Sequence, residues 1–250
     1  MKAPSSIQKR HTSNRNPPHA ASSTAAGLDF IEAEAEEDIM KLYGFTVSPN
    51  TWKVRALAGY LKLPLDYHII DLLEGAQFAP DYLALNPTGR TPTLVDGEFT
   101  LWESCAIMQY LASKVATPLW PNDARARADI TRWQCWELAH WGAQACGPLT
   151  FENLVKKFVV ALGPADQAAV TKATEAFNKE AKMLDGHLAR HKYLVNDTLT
   201  LADFTVAAPL FHAQGAGMPV APYANIRGWF DRVSSLPCWS ETAPQMPAAA

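Results

Sequence analysis

The chain has 250 residues, a net charge of −3 and a hydrophobic content of 48%. That is enough apolar material for one large domain or two modest ones, and the slightly acidic balance argues against a nucleic-acid partner, which calls for a basic patch. No run approaches the roughly 18 apolar residues needed to cross a bilayer, so no membrane association is expected. Four cysteines, Cys105, Cys135, Cys146 and Cys238, form no C-x-x-C pair and no metal-type spacing. They read as reduced thiols of a cytoplasmic protein rather than a disulfide framework.

Residues 1–38 read as a disordered tail. The first 28 carry Lys2, Lys9, Arg10 and Arg15 and no acid, and Asp29 to Asp38 is an acidic cluster. Neither part has apolar periodicity. The basic, Ser-rich start also suits a transit peptide, although it lacks an amphipathic arginine face. A simpler reading takes Met40 as the start of the folded unit and the tail as an extension or an upstream mis-start.

From Lys41 to Val47 the pattern is a short strand. Ser48-Pro49 then supplies an N-cap followed by proline at the first helical position. The helix buries Val54, Leu57, Ala58 and Leu61 and stops before Pro64. Leu65 to Ile70 is a second strand, so a parallel β-α-β unit is expected. Asp71 to Leu85 reads as irregular, with a short turn of helix. The stretch Thr88 to Ile107 organises the rest: strand, turn, strand, helix. Asp96-Gly97 is the dipeptide of a two-residue type I′ hairpin. Glu103-Ser104 opens a helix with Ile107, Met108, Leu111, Ala112 and Val115 at apolar spacing. The order β-α-β then β-β-α predicts a thioredoxin-like layout.

In that layout the first helix begins beside the Pro92 bend, which brings Ser48 near Pro92, Glu103 and Ser104. The free N–H groups and dipole at Ser104 favour an anion. A small pocket for a zwitterionic, peptide-like ligand is expected there. Ser48 stands where a redox relative would carry cysteine. Its hydroxyl either caps the helix or donates to a ligand thiolate. A hydrogen bond to a charged group is worth roughly 1.5–3 kcal/mol, enough to lower a thiol pKa by about one to two units.

Ser48-Pro49-Asn50, the run Asn86-Pro87-Thr88-Gly89-Arg90-Thr91-Pro92, then Leu94-Val95-Asp96-Gly97 and Glu103-Ser104-x-Ala106-Ile107 resemble the glutathione transferase family. The likeness runs from Met40 to about Thr242. It implies a thioredoxin-like, glutathione-binding domain at 39–116 and an all-helical domain at 122–242. It further implies a homodimer, glutathione as co-substrate, an apolar electrophile, and no metal or tightly bound cofactor. By matching positions, Ser48 would stabilise the thiolate, and Thr91, before a cis Pro92, would pair its backbone with the cysteinyl part. Glu103 and Ser104 would hold the γ-glutamyl end. Gln77 and Arg90 would reach the glycyl end, unless they are plain solvated side chains. Ser-Pro-Asn is also similar to a bacterial subgroup with Thr-Pro-Asn, in which glutathione reduces disulfides. There Asn50 would share the contact to sulfur.

After Pro118-Leu119-Trp120-Pro121, a linker by composition, the pattern is helical. Ala124 to about Ala145 carries Trp133, Trp136, His140 and Trp141, which are either core or an apolar wall for the second substrate. Phe151 to Leu162 reads as a separate helix stopped at Gly163-Pro164. Ala165 to Arg190 buries Val170, Ala173, Phe177, Ala181, Leu184 and Leu188. His187 and His191 are four apart but lack an acidic or thiol partner, so no metal is expected. Thr200-Leu201-Ala202-Asp203 is a capping box with Asp for Glu, flanked by Leu199 and Phe204 at the staple positions. Its loss in Asp203→Ala predicts a cost of about 1 kcal/mol or more. The helix Leu201 to His212 is apolar all round, hence buried. Ile226 to Val233 is a last helix.

Three functions are consistent with these residues: a transferase acting through Ser48, a glutathione-dependent disulfide or peroxide reductase using Asn50 with Ser48, and a non-catalytic binding protein on the same fold.

Overall fold

The computed structural model describes residues 39–244. The tail expected over residues 1–38 lies outside them.

The N-terminal half is a four-stranded sheet with helices packed on it. β1 (Met40–Gly44) runs through the middle of the sheet. After it come α1 (Pro49–Leu61), β2 (Leu65–Ile69), a 3₁₀ turn at Ala76–Phe78 and α2 (Pro80–Leu85). β3 (Thr93–Asp96), β4 (Phe99–Trp102) and α3 (Ser104–Ser113) complete this half. The sheet order is β2-β1-β3-β4, with β1 parallel to β2 and antiparallel to β3, and β3 antiparallel to β4. This is the thioredoxin-like arrangement expected from the element order.

Three local details differ from the sequence reading. β1 ends at Gly44 rather than Val47, because the chain turns at once: Ser48 N–H donates to Phe45 O at 3.1 Å. The hairpin turn sits one residue on. Asp96 pairs with Phe99, so the central residues are Gly97 and Glu98. Gly97 alone has positive φ (57°), the pattern of a type II′ turn rather than type I′. Finally, α3 ends at Ser113, which leaves Val115 beyond it.

The second half is helical. α4 (Ala124–Trp136) continues without a break to residue 158, through a wide π stretch at Glu137–Cys146, α5 (Gly147–Thr150), a second π stretch at Phe151–Val155 and α6 (Lys156–Phe158). The expected separation into two helices is therefore wrong. Pro148 lies between the two π stretches. Its missing N–H and its ring conflict with regular α spacing, and wider turns relieve both. α7 (Gln167–Leu188) buries Ala173, Phe177, Ala181, Leu184 and Leu188, as its periodicity requires, while Val170 is partly buried. α8 (Leu201–Ala207) is buried along its whole length and tightens to 3₁₀ at Ala208–His212, where Pro209 interrupts it. α9 (Ala213–Ala216), α10 (Ala224–Ser234) and a short α11 (Pro237–Glu241) follow. The linker is pinned, for Leu119 is fully buried and its carbonyl accepts the Leu201 N–H at 3.1 Å.

α1 lies between the sheet and the helical half. Trp52 packs on Phe211 (4.4 Å between ring centroids) and edge-on against Trp239 (5.7 Å), and donates from Nε1 to Trp239 O at 3.3 Å. Burial on both sides fixes the direction of α1 and hence the position of its N-terminal end, which carries Ser48 and Asn50. Among the described residues no helix is long and apolar enough to cross a membrane.

Candidate active site

Sheet register gathers the N-terminal candidates. Tyr43 pairs with Thr93, and Thr93 with Trp102. The chain beyond Tyr43 (the loop to Ser48), the chain before Thr93 (Thr91-Pro92) and the chain after Trp102 (Glu103-Ser104) therefore leave the sheet at the same end. The Thr91–Pro92 peptide bond is cis. Ser104 Oγ donates to Asn50 Oδ1 at 3.2 Å, which ties the start of α3 to the start of α1.

Ser48 occupies the N-cap position of α1 with extended backbone (φ −69°, ψ 126°), yet its side chain makes no capping bond. Its carbonyl is used, accepting the Trp52 N–H at 2.9 Å. The residue is half-buried, and its hydroxyl has no hydrogen-bond partner among the described residues. A residue that served only as a cap would spend its hydroxyl on the helix. From the helical half, His212 Nε2 lies 2.9 Å from Val47 O. A carbonyl only accepts, so Nε2 carries the proton. Burial pulls the pKa of His212 down, which keeps the ring neutral around it. His212 thus anchors the residue before Ser48, a link of 165 residues along the chain that no local pattern discloses.

Glu103 is exposed and Ser104 buried. Glu103 adopts φ 72°, ψ 111° ahead of α3. Positive φ in a non-glycine residue stores about 1–3 kcal/mol of strain and is characteristic of functional sites. The loop before Pro92 is held by side chains the sequence reading passed over. Asn86, 1% exposed, donates from Nδ2 to Arg90 O (2.8 Å) and Thr93 Oγ1 (3.0 Å) and accepts from Thr88 N–H (3.0 Å) and Thr88 Oγ1 (2.7 Å). Tyr82 donates its hydroxyl to Arg90 O at 2.6 Å and lies 2.9 Å from Thr93 Oγ1. Asparagine before Pro87 was the available signal, since Asx turns use that side chain. Asn86→Ala is expected to cost about 2–4 kcal/mol in chemical denaturation, because four bonds are lost and the loop is freed. A variant of wild-type stability would show that the loop is held elsewhere.

The Arg90 side chain is exposed, while its carbonyl is fixed as described. Gln77 lies in the 3₁₀ turn, and its backbone oxygen and the Phe78 ring pack against Gly89. Its buried side-chain Oε1 has no hydrogen-bond partner among the described residues.

A cavity of about 370 Å³ opens beside Pro49 and Asn50, against the wide-turn segment and Pro209. Of the two readings of the aromatic stretch, core rather than substrate wall describes its tryptophans, none of which lines the cavity. Trp133 and Trp141 are buried core, Trp136 is partly buried and donates to Glu180 Oε2 at 2.9 Å, and His140 is exposed. The lining comes from another face of the same helical stretch, including Leu138, Gly142, Ala143, Thr150 and Phe151. His187 and His191, the pair weighed for metal, stack at 4.5 Å, and His187 Nε2 lies 3.1 Å from Leu194 O.

Two family models match the chain: the glutathione S-transferase N-terminal domain over residues 42–119 and the C-terminal domain over residues 148–237. The chain belongs to the glutathione S-transferase family. It is an enzyme of that family by the weight of its relatives. Among them, glutathione S-transferase 3 of Zea mays is 37% identical over 216 residues, which is 83% of this chain and 95% of the relative. The solved structure of a glutathione S-transferase III in apo form is 36% identical with a TM-score of 0.74, over 84% of this chain and 99% of that one. A glutathione S-transferase I bound with lactoylglutathione is 26% identical with a TM-score of 0.74, over 83% and 99%. Both halves described above are thus accounted for by one transferase architecture.

Proposed function

We propose that Ser48 stabilises the thiolate of glutathione, and that this sulfur attacks an apolar electrophile held in the cavity between the 39–116 and 122–242 domains. The observation that carries the reading is the Ser48 hydroxyl. It stands at the start of α1 beside Pro49 and Asn50, which line the cavity, and no group among the described residues uses it. Its donation to sulfur is worth about one to two pKa units of thiol acidity, and the α1 dipole adds in the same direction. The attack forms a sulfur–carbon bond, and the leaving group departs with the bonding pair.

The tripeptide is assigned along the rim. Its γ-glutamyl carboxylate meets Ser104 and the N–H groups of α3, and its ammonium meets Glu103. The cysteinyl backbone pairs with Thr91 before Pro92, and the glycyl end reaches Gln77 and Arg90. The orphaned Gln77 Oε1 supports that last assignment through the glycyl N–H, the one donor that end of the tripeptide carries, since both Oε1 and the glycyl carboxylate are acceptors. No other cofactor is needed for this step. The solved relative that holds lactoylglutathione, a glutathione derivative, supports glutathione as the ligand class.

A second reading keeps Asn50. Its Oδ1 is taken by Ser104, so the group left for a sulfur is the Nδ2 amide, a donor. That suits disulfide or peroxide reduction with glutathione as reductant. Turnover of an aryl halide and of a small disulfide separates the two. The transferase reading expects aryl-halide turnover that collapses in Ser48→Ala and changes less than about threefold in Asn50→Ala. Turnover of the disulfide alone, lost in Asn50→Ala, favours the reductase. A cytoplasmic homodimer belongs to the same proposal. Four free thiols suit a reducing compartment, and exposed Phe78, Phe99 and Trp102 offer apolar surface to a second copy.

A further inference from the structure

Beneath the cavity lies a buried charge pair that the transferase reading leaves unused. Lys53 of α1 is 0% exposed and Glu137, the first residue of the wide-turn stretch, is 4% exposed. Lys53 Nζ is 3.6 Å from Glu137 Oε2 and 3.9 Å from Cys105 Sγ. Burial works to lower the pKa of Lys53, but Cys105 and Glu137 outweigh it and hold it above its usual value, so the ammonium persists. Burial also pushes the Cys105 thiol up. Glu137 Oε2, shut off from solvent, faces the Lys53 ammonium and has no closer hydrogen-bond partner among the described residues, which leaves Oε1, beside Gly142, as the oxygen at the cavity wall. A buried carboxylate needs hydrogen bonds as well as a counter-charge, and the ammonium at 3.6 Å supplies mainly the charge.

Glu137 is itself part of the cavity lining, and so is Gly142. A β-carbon on Gly142 would stand 2.5 Å from Glu137 Oε1. Gly142 does not have the positive φ that would call for glycine, so space is its role here. The missing side chain leaves room for the carboxylate at the cavity wall. Otherwise the lining is mostly apolar, with Asn50 and Thr150 as its other polar side chains. One carboxylate faces one ammonium, so charge is already balanced. What remains unmet is hydrogen-bond capacity, and a neutral donor supplies that without adding a buried charge.

We infer that Glu137 is a specificity residue of the electrophile pocket, selecting apolar electrophiles that carry a hydroxyl or N–H to donate to its carboxylate. This rests on the reading of the cavity as the second-substrate site. A site built to bond a substrate donor penalises the analogue that lacks it far more than an apolar pocket penalises a missing methylene.

The test is calorimetric binding of S-benzylglutathione and its three monohydroxylated ring isomers to the full chain. One hydroxyl isomer is expected to bind at least about tenfold more tightly than the unsubstituted conjugate. That advantage should shrink to within about twofold in Gly142→Ala, whose new methyl displaces the carboxylate, and in Lys53→Met/Glu137→Leu, which removes the pair together. Gly142→Ala leaves both charges in place, so it decides the matter if the double variant fails to fold. Four conjugates binding the wild type within about twofold of each other would overturn the inference while leaving the glutathione site standing. So would an advantage that survives both changes. Failure of all four to bind would overturn the glutathione reading itself.

Discussion

Replacing Ser48 with alanine is expected to lower kcat/KM toward an aryl halide at neutral pH by about 10- to 100-fold, with little change in stability. The magnitude follows from a charge-assisted hydrogen bond of about 1.5–3 kcal/mol, present with the thiolate and weaker with the neutral thiol. A free thiol near pKa 8.5 is only a few per cent ionised at neutral pH, so each unit of depression gained from the hydroxyl raises the reactive fraction almost tenfold until the thiolate dominates. The fold should be indifferent, because the Ser48 side chain makes no capping bond and Pro49 still begins the helix. A Ser48→Ala variant with full activity would move the catalytic role elsewhere. A variant that lost several kcal/mol of stability would make Ser48 a structural residue after all.

The second large effect lies far from the chemistry. Asp203 is fully buried and accepts four hydrogen bonds. Oδ1 takes the Leu194 N–H (3.0 Å) and Trp229 Nε1–H (2.9 Å), and Oδ2 takes the Thr200 N–H (2.9 Å) and Thr200 Oγ1–H (3.2 Å). The capping box expected from sequence is present. The carboxylate also ties α8 to α10 and to the segment after α7. Asp203→Ala is therefore expected to cost about 3–5 kcal/mol, well above the cost of a lost cap, because four buried donors lose their partner. Burial pushes this carboxyl up to about 6, against the pull of its donors. The unfolded value is about 3.9. With the native pKa raised, the native state binds the proton more tightly. The contribution is fully present below about pH 3.9 and is lost as pH rises through about 6, by up to about 3 kcal/mol. The stability gap between wild type and Asp203→Asn, measured by denaturation, should thus be wider at pH 4.5 than at pH 7. A gap that widens toward neutral pH would place the native pKa below the unfolded one.

Local signals made the N-terminal half readable. Ser48-Pro49, the apolar spacing after it, Pro92 and Glu103-Ser104 each fix a backbone state within a few residues, and sheet pairing brings their ends together. The hairpin missed by one residue because Asp-Gly marks a turn without saying which residue takes its first central position. Asp203 was legible as a cap but not as a hub, since Trp229 and Leu194 reach it only through tertiary packing. The cavity was illegible for the same reason. Its lining depends on the π turns around Pro148, which rotate Leu138, Gly142 and Phe151 toward Asn50 and leave Trp133 and Trp141 in the core. Lys53, within the otherwise mostly apolar run Trp52 to Leu57, was a signal in plain view, for a lysine on a helix buried on both sides needs a partner.

Glutathione bound beside Ser48 should carry a more acidic sulfur than free glutathione, and a pH titration of the thiolate absorbance of the bound tripeptide reads that acidity directly. The wild type should show a thiol pKa depressed by at least about one unit from that of free glutathione, with most of the depression lost in Ser48→Ala. Equal pKa values in the two proteins, or a bound thiol as weakly acidic as the free one, would contradict the account.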